Sequence, residues 1–248
     1  MDILNYYRRW RKARDIGVKF VRTKDFSIPN SLTTHKLKRS LYFPNDTTYV
    51  ELFKDIILDD EYKLSLLKDE NIINIVDVGA NLGMFSIAAR ISFINSKIHA
   101  YEPNPNNIDT LKKHGKEFNF KIYEEAVSGT SGKCDIDFST ENDTSAHIHK
   151  NPDGSVFASN LNIILKRFKN GKIDLLKLDC EGSEFDIFRN PEPLIGVRFI
   201  SMEYHLPLNG SEKVFKELLY ILEKLDFSII YHNKRNVSLG IIVARNEV

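Results

Sequence analysis

From residue 72 onwards, short apolar runs alternate with stretches of helical periodicity. Apolar runs rich in β-branched residues are typical of strands that are buried on both faces of a parallel sheet. The predicted strands cover residues 72–78, 97–101, 120–127, 132–138, 173–178, 197–204, 227–232 and 239–244, and the predicted helices cover 84–94, 106–117, 161–168, 184–188 and 212–225. Before them, a short strand is predicted at 40–43 and a helix over 61–68, and the polar residues 139–158 are predicted as a loop over the site. This alternation predicts an α/β fold with a doubly wound sheet and helices on both faces. The last two strands are joined through residues 233–236, a hairpin-type connection that makes the last strand antiparallel.

Residues 1–39 are much more basic than the rest of the chain. Residues 1–39 contain 11 Lys and Arg against 3 Asp, a local charge of +8 in a chain whose net charge is +1. Apolar residues recur every three or four positions between residues 3 and 20, which predicts an amphipathic helix with Tyr7 and Trp10 on its apolar side. We expect a basic extension over 1–44 and one enzymatic domain over 45–248. Peripheral membrane contact through residues 3–20, packing on the body and homo-oligomer formation all remain open.

Composition narrows the class of protein. A hydrophobic fraction of 42% and a charged fraction of 28% are typical of a globular protein. No apolar stretch approaches the roughly 20 residues that span a bilayer. Cys134 and Cys180 provide neither a disulfide framework nor metal-ligand spacing, which favours a reducing cytoplasm. The body after the extension is mildly acidic and lacks a stripe of aromatic and basic residues, so we expect no nucleic acid as partner.

The sharpest local pattern lies at the first strand-to-helix junction, where residues 76–83 read VDVGANLG. Glycine allows a tight turn and lets a ligand approach the backbone without meeting a Cβ atom. A second pattern, YEPN at residues 101–104, follows the next strand. An acidic residue at that place accepts hydrogen bonds from the ribose hydroxyls of an adenine nucleoside. Together the two patterns predict a nucleoside site, with Glu102 as its ribose ligand.

Both a dinucleotide and S-adenosylmethionine fit a ribose-binding glutamate. The dinucleotide fold prefers three glycines, the last of which packs the helix close above a pyrophosphate. This chain has Gly79 and Gly83, but Phe85 and Ser86 follow where small residues would be expected. The methyl donor is favoured, and a nicotinamide-dependent oxidoreductase is the alternative.

Three motifs together resemble the FkbM family of methyltransferases: residues 77–83, residues 101–104 and residues 176–184, which read LKLDCEGSE. The resemblance extends over about residues 45–205. It implies a class I methyltransferase (Rossmann-like) fold with seven strands, the last of them antiparallel. It also implies an enzyme similar to those that O-methylate hydroxyls of sugars and natural products.

The resemblance further implies which residues hold S-adenosylmethionine. They are the loop residues Asp77, Gly79, Asn81 and Gly83, the ribose ligand Glu102 with Pro103 beside it, and Glu125 and Ala126 near the adenine. Residues 1–40 match no pattern of the family.

Candidates for the chemistry lie at the carboxyl ends of the fourth and fifth strands, beside the cofactor. Glu203 and His205 are two apart on one strand and so share a face. His205 is the natural base, because its ordinary pKa lies near neutrality. Asp179 is a further candidate, and Asp179, Glu181 and Glu203 could alternatively hold a divalent cation.

A second metal hypothesis concerns His147 and His149, which also share a face.

The sequence thus predicts an S-adenosylmethionine-dependent O-methyltransferase acting on a sugar, on a glycan, with lipid-linked glycans included, or on a related natural product. The alternatives are the oxidoreductase, a methyltransferase of a non-sugar acceptor and a non-catalytic scaffold. The intact cofactor motifs argue against the last of these.

Overall fold

The computed structural model describes residues 3–19, 26–44, 48–138, 146–180, 184–207 and 211–247. The strands in these ranges are β1 (Ser31–Thr34), β2 (Leu37–Ser40), β3 (Asn74–Val78), β4 (Lys97–Tyr101), β5 (Lys121–Tyr123), β6 (Glu125–Val127), β7 (Gly132–Phe138), β8 (Ala146–Lys150), β9 (Val156–Ser159), β10 (Ile173–Leu178), β11 (Val197–His205), β12 (Phe227–Lys234) and β13 (Leu239–Asn246). The α-helices are α1 (Ile3–Asp15), α2 (Thr48–Phe53), α3 (Met84–Ser92), α4 (Pro105–Phe118), α5 (Leu161–Leu165), α6 (Glu184–Phe188) and α7 (Ser211–Lys224). A π-helical segment covers Lys54–Leu58, and 3₁₀ turns cover Leu64–Leu67 and Glu192–Gly196.

The central sheet has seven strands in the order β12-β13-β11-β10-β3-β4-β5. Strands β3, β4, β5, β10 and β11 are parallel, and β13 is antiparallel to both of its neighbours. This arrangement confirms the predicted class I methyltransferase fold with an antiparallel last strand. The strand order reverses between β3 and β10, and ligands of open α/β sheets bind at the carboxyl ends of the strands at such a point.

Both faces of the sheet are covered by apolar layers. Successive residues of β3 point to opposite sides, so Ile75 packs with α3, α4 and the N-terminal extension, whereas Val76 packs with α5, α6 and α7. All five residues of β3 are buried. This explains why the central strands appear in the sequence as continuous apolar runs instead of alternating ones.

The third predicted strand, 120–127, is wrong in one respect, because the structure divides it. β5 ends at Tyr123, and β6 pairs with β9 in a separate four-stranded sheet of order β6-β9-β7-β8. The Glu125 side chain binds Arg167 and Ser159, and Ala126 is buried in the small sheet. These contacts direct the chain away from the central sheet.

Within residues 139–158, predicted as a polar loop over the site, the structure has the strands β8 and β9. β8 pairs with β7, and β9 pairs with β6 and β7. Residues 139–145 lie outside the described residues. Backbone pairing with β7 overrides the polar composition that indicated a loop.

The N-terminal extension packs on the body. α1 is shorter than the predicted helix 3–20, because Gly17 has a left-handed φ of +71° and a Cβ atom there would lie 2.7 Å from Thr33 Oγ1. Ala13, Leu32 and Leu41 belong to the same buried cluster as Phe85 of α3. The extension therefore shares a core with the body, and the boundary at residues 44 and 45 stays a prediction.

The shorter elements near the extension also differ from expectation. The strand predicted at 40–43 is displaced, because β2 ends at Ser40 and the Tyr42 amide donates instead to His114 Nε2 at 2.9 Å. The helix predicted over 61–68 is reduced to a 3₁₀ turn. Asp60 and Lys63 have left-handed backbone conformations, which interrupt a regular helix.

His114 joins the extension to the loop over residues 79–83, which is the predicted cofactor loop. Its Nε2 accepts from Tyr42, while its Nδ1 lies 2.6 Å from the Leu82 carbonyl oxygen, so the ring is neutral and carries its proton on Nδ1. Burial lowers the pKa of His114 to about 4. No helix in the described part of the chain is long and apolar enough to cross a membrane, and both cysteines are free thiols.

Candidate active site

The carboxyl ends of β3, β4, β10 and β11 meet at one edge of the sheet, where most of the predicted site residues lie. Gly79 follows β3 with a φ of +71°, and a Cβ atom there would lie 1.8 Å from the carbonyl oxygen of Asp179. The amides of Gly79 and Ala80 both donate to the Tyr101 carbonyl, at 3.1 and 3.0 Å. The cofactor loop is therefore held directly against the ends of β4 and β10, which only glycine permits.

Glu102 lies at the end of β4 and is 5% exposed. Its carboxylate accepts from the amides of Asn81 at 2.7 Å and Asn104 at 2.9 Å. Burial raises the pKa of Glu102, although the two amide donors oppose that shift. Beside it, the side-chain Oδ1 of Asn81 is buried without a hydrogen-bond partner. The loop thus presents a positioned carboxylate and an unsatisfied amide oxygen to the same place.

Asp77 supports this loop from beneath. Its side chain is fully buried, and its Oδ2 accepts from Ser86 at 2.6 Å. The ammonium of Lys177 lies 3.3 Å from Oδ1. Asp77 therefore lies behind the loop.

Lys177 is the central cation of the site, and the sequence interpretation assigned it no role. Its ammonium lies 3.4 Å from Asp179 and donates to the carbonyls of Val78 at 3.0 Å and Gly79 at 2.8 Å. Burial alone would lower the pKa of Lys177, but attraction to Asp77 and Asp179 outweighs it and raises that pKa. A charged residue inside the apolar run of β10 was the available signal, because a buried lysine needs acidic partners.

The region predicted to contact adenine, at Glu125 and Ala126, follows β5, the strand next to β4. Glu125 is held by Arg167 at 2.9 Å and by Ser159 at 2.5 Å, so its carboxylate already has donors. The amide of Glu102 donates to the Tyr123 carbonyl at 3.1 Å, which brings the end of β5 next to Glu102. Contacts of Pro103, Glu125 and Ala126 with the cofactor stay predictions.

The other side of the site carries a group of charged residues from three elements. Arg235, in the β12–β13 connection, donates to Glu203 of β11 at 2.7 Å and also to Glu61. Burial, with the negative charges of Asp179 and Glu61, raises the pKa of Glu203 to about 8. Burial also raises the pKa of Glu61. The charge of Asp179 thus acts on Glu203, and the roles of both residues in the chemistry stay predictions.

Tyr62 reaches the same place from the segment before the first central strand. Its hydroxyl donates to Asp179 at 2.7 Å, and its carbonyl accepts from Ser201 at 2.8 Å. Burial, with the nearby charges of Asp179 and Glu203, raises the pKa of Tyr62 well above its ordinary value. No sequence motif indicated Tyr62, because its partner lies 117 residues away in the chain.

His205 ends β11, and its Nδ1 lies 3.4 Å from Glu184 of α6. Glu184 is fully buried and also accepts from the Cys180 amide at 2.7 Å. A carboxylate beside one ring nitrogen orients an imidazole and stabilises the imidazolium that forms when the ring takes a proton. Sequence reasoning predicted His205 and missed Glu184 as its partner.

The metal hypotheses receive little support. Glu181 lies outside the described residues, as does the side chain of His147. Asp179, Glu184 and His205 offer ligand atoms within 4.8 Å of one another. However, Lys177 and Tyr62 already bind Asp179, and an ammonium at that distance disfavours a cation. We therefore assign no metal to this group.

Comparison with known proteins shows the family to which this chain belongs. The sequence model of the methyltransferase FkbM domain matches residues 77–229, which is more than half of the chain. The chain belongs to the FkbM methyltransferase family. As a methyltransferase of this family, the protein uses S-adenosylmethionine as its methyl donor, and the nicotinamide alternative is set aside. No curated protein matches the chain.

Several solved methyltransferases are similar to this FkbM chain in overall path. Precorrin-6y C5,15-methyltransferase from Geobacter metallireducens is 15% identical, with a TM-score of 0.43 over 76% of this chain and 88% of that one. Magnesium protoporphyrin IX methyltransferase from Synechocystis, with bound S-adenosylmethionine, is 13% identical, with a TM-score of 0.47 over 83% and 88%. Fibrillarin from Aeropyrum pernix, with natively bound S-adenosylmethionine, is 13% identical, with a TM-score of 0.44 over 74% and 75%.

Proposed function

We propose that this FkbM methyltransferase transfers a methyl group to a hydroxyl of a sugar, a glycan or a related natural product. The observation that carries the proposal is the contact of His205, at the end of β11, with Glu184 of α6. The pair lies near Glu203, at the same edge of the sheet as the loop that follows β3. A hydroxyl acceptor needs a base at this position, whereas an acceptor that is already nucleophilic does not.

The residues of the loop fit S-adenosylmethionine. In this proposal Glu102 accepts from the ribose hydroxyls, and Gly79, Asn81 and Gly83 lie along the methionine moiety. The buried, unsatisfied Oδ1 of Asn81 is available to a donor of the cofactor. Asp77 acts from behind by holding Lys177 and Ser86.

When bound, S-adenosylmethionine supplies a methyl group on a positively charged sulfur. This chain's contribution is to hold the acceptor oxygen in line with the methyl carbon and the sulfur, which is worth up to roughly 7–11 kcal/mol in well-oriented systems. His205 then takes the hydroxyl proton as the new oxygen–carbon bond forms and the sulfur–carbon bond breaks. Glu184 stabilises the imidazolium, and base catalysis of this kind contributes about 10²–10⁴-fold.

The acceptor side favours a molecule with several hydroxyls. The Asp179 side chain offers oxygens that accept hydrogen bonds from hydroxyl groups, and Glu203, with a pKa of about 8, is a neutral acid near neutral pH that can also donate one. Arg235 holds the side chains of Glu203 and Glu61 in place. A polyhydroxylated acceptor can therefore present one hydroxyl to His205 while its neighbouring hydroxyls bind Asp179 and Glu203.

The experiment is a turnover screen with the methyl donor against sugars, lipid-linked glycans, simple alcohols and non-sugar phenols, with and without chelator. His205→Ala should lower turnover on the best acceptor by at least about 10²-fold and leave donor affinity nearly unchanged. His35→Asn, a surface histidine away from the site, is the matched control and should retain activity. Preference for a non-sugar acceptor, or an unchanged rate in His205→Ala, would contradict the proposal.

A further inference from the structure

The outer face of α1 carries an exposed stripe of large apolar side chains. Ile3, Tyr7 and Trp10 are 83%, 59% and 38% exposed. Their spacing of four and three residues places them on one side of the helix. Tyr7 and Trp10 also stack, with ring centroids 6.0 Å apart, so they form one continuous surface.

The opposite side of α1 fixes the direction of that stripe. Arg9 makes a two-point ion pair with Asp59, and Ala13 and Ile16 are buried in the core that the extension shares with the body. At roughly 100° per residue, Arg9 lies on the side of α1 away from Tyr7, and Ala13, three residues after Trp10, lies at the boundary between the buried side and the stripe. The stripe therefore points outward and cannot turn inward without breaking the ion pair.

Basic side chains flank the stripe. Arg8 and Arg11 are exposed, and the Arg14 guanidinium lies 5.1 Å from the centre of the Trp10 ring. Tyrosine and tryptophan next to arginine are typical of helices that lie in the headgroup region of a bilayer, with rings at the acyl boundary and cations at the phosphates.

We propose that the outer face of α1, defined by Ile3, Tyr7, Trp10, Arg8 and Arg11, binds the surface of an anionic lipid membrane. The positive charge of this face favours a lipid membrane over a second copy of the chain or a nucleic acid. A second copy of the same face would bring arginines of like charge together, whereas anionic headgroups complement them. A nucleic acid would use the arginines and leave the apolar stripe in water.

The position of α1 connects this face to the active site. Asp59, which binds Arg9, precedes Glu61 and Tyr62 by two and three residues, and these contact Arg235 and Asp179 in the site. The segment that holds α1 therefore also supplies two side chains to the site. A lipid-linked acceptor follows only if the proposed function holds, whereas membrane binding itself does not depend on it.

Co-sedimentation of the full chain with vesicles tests the inference without any methyl transfer. Vesicles of phosphatidylcholine with phosphatidylglycerol should sediment the protein, and vesicles of phosphatidylcholine alone should not. Binding should weaken as salt is raised. Tyr7→Ser with Trp10→Ser, and separately Arg8→Glu with Arg11→Glu, should each reduce the bound fraction at least tenfold.

Matched controls change equally exposed residues elsewhere. Tyr220→Ser with Ile195→Ser alters the apolar surface, and Lys166→Glu with Lys169→Glu alters the charge by the same amount; both should bind like the unchanged protein. Binding affinity for the methyl donor, measured by calorimetry on every variant, shows that each one is folded. Equal sedimentation of all variants, or a dimer in sedimentation velocity that Trp10→Ser dissociates without lipid, would overturn the proposal.

Discussion

At the scale of single residues, Glu102 is the group whose environment is most clearly prepared for a ligand. Two backbone amides hold its carboxylate in place, and burial raises its pKa. A carboxylate that is already desolvated loses little further hydration when ribose hydroxyls arrive. Its hydrogen bonds to a ligand are therefore stronger than those of an exposed glutamate.

Replacing Glu102 with Ala should weaken binding of S-adenosylmethionine by about 2–3 kcal/mol, because two charge-assisted hydrogen bonds to the ribose are lost. Isothermal calorimetry measures this directly. Glu124→Ala is the control, since Glu124 is 56% exposed and pairs with Lys112 on the surface. If both variants bind the donor as tightly as the unchanged protein, Glu102 is not the ribose ligand.

Residue roles could be predicted where a motif is contiguous. Gly79 and Glu102 were identifiable, because turn geometry and a strand-end carboxylate are local properties of the chain. The role of Lys177 could not be predicted, because its two acidic partners come from β3 and from the end of β10. The sequence predicted Glu184 to lie in a helix. Its contact with His205 could not be predicted, because that contact depends on how α6 packs against β11.

At the scale of elements, the segment between α2 and β3, residues 54–73, supplies side chains to the site although it contains only short helical turns. It lies before the stretch matched by the family, and it supplies Glu61 and Tyr62 to the acceptor side. The segment holds its shape through Ser201 of β11 as well as through Asp179. Tyr62 therefore acts as a positioning residue for Asp179.

Tyr62→Phe should lower kcat by about tenfold, since it removes one hydrogen bond to a carboxylate, worth roughly 1.5–3 kcal/mol. The donor affinity and the melting temperature should change little, because the ring continues to fill the same space against Phe85. Steady-state kinetics with donor calorimetry separate these quantities. Tyr220→Phe, on the exposed side of α7, is the control. A melting temperature that falls together with kcat would mean that the hydroxyl only stabilises the fold.

Elements of the central sheet were predictable, because strands buried on both faces leave unbroken apolar runs. The hairpin that ends the sheet was identifiable from its turn residues. The four-stranded sheet of β6 to β9 could not be predicted, because β6 pairs in parallel with β9, which lies about thirty residues later in the chain, after a polar stretch. Short, half-exposed strands carry a weak pattern, and their pairing is decided by tertiary contacts.

At the scale of the whole molecule, buried titratable groups give stability a defined pH dependence. Burial lowers the pKa values of His99 and His114 to about 4, so both are neutral when folded and take up protons in the unfolded chain below about 6.5. Stability must therefore fall as pH drops from about 6.5 to about 4. Glu203 is protonated in the folded state up to about 8 but ionises near 4.5 when unfolded, so its contribution falls as pH rises between these values.

The free energy of unfolding should therefore be greatest between about pH 6 and 7. Urea unfolding over pH 4 to 9 provides the measurement. Glu203→Gln should flatten the decline above about pH 6.5, since the amide does not ionise, whereas Glu223→Gln on the surface of α7 should leave the curve unchanged. A stability that still falls equally steeply in Glu203→Gln would show that other groups cause the alkaline decline.

The single histidine that bridges Tyr42 and Leu82 limits how this enzyme can be recombined with its relatives. His114 binds a backbone amide of the extension with one nitrogen and a backbone carbonyl of the cofactor loop with the other. A chimera that joins a foreign N-terminal segment to this catalytic body keeps the contact only if that segment follows the same backbone path at residue 42 and has no proline there, because the donor is a backbone amide. A segment on another path would leave a buried ring nitrogen without its donor, next to the loop over residues 79–83.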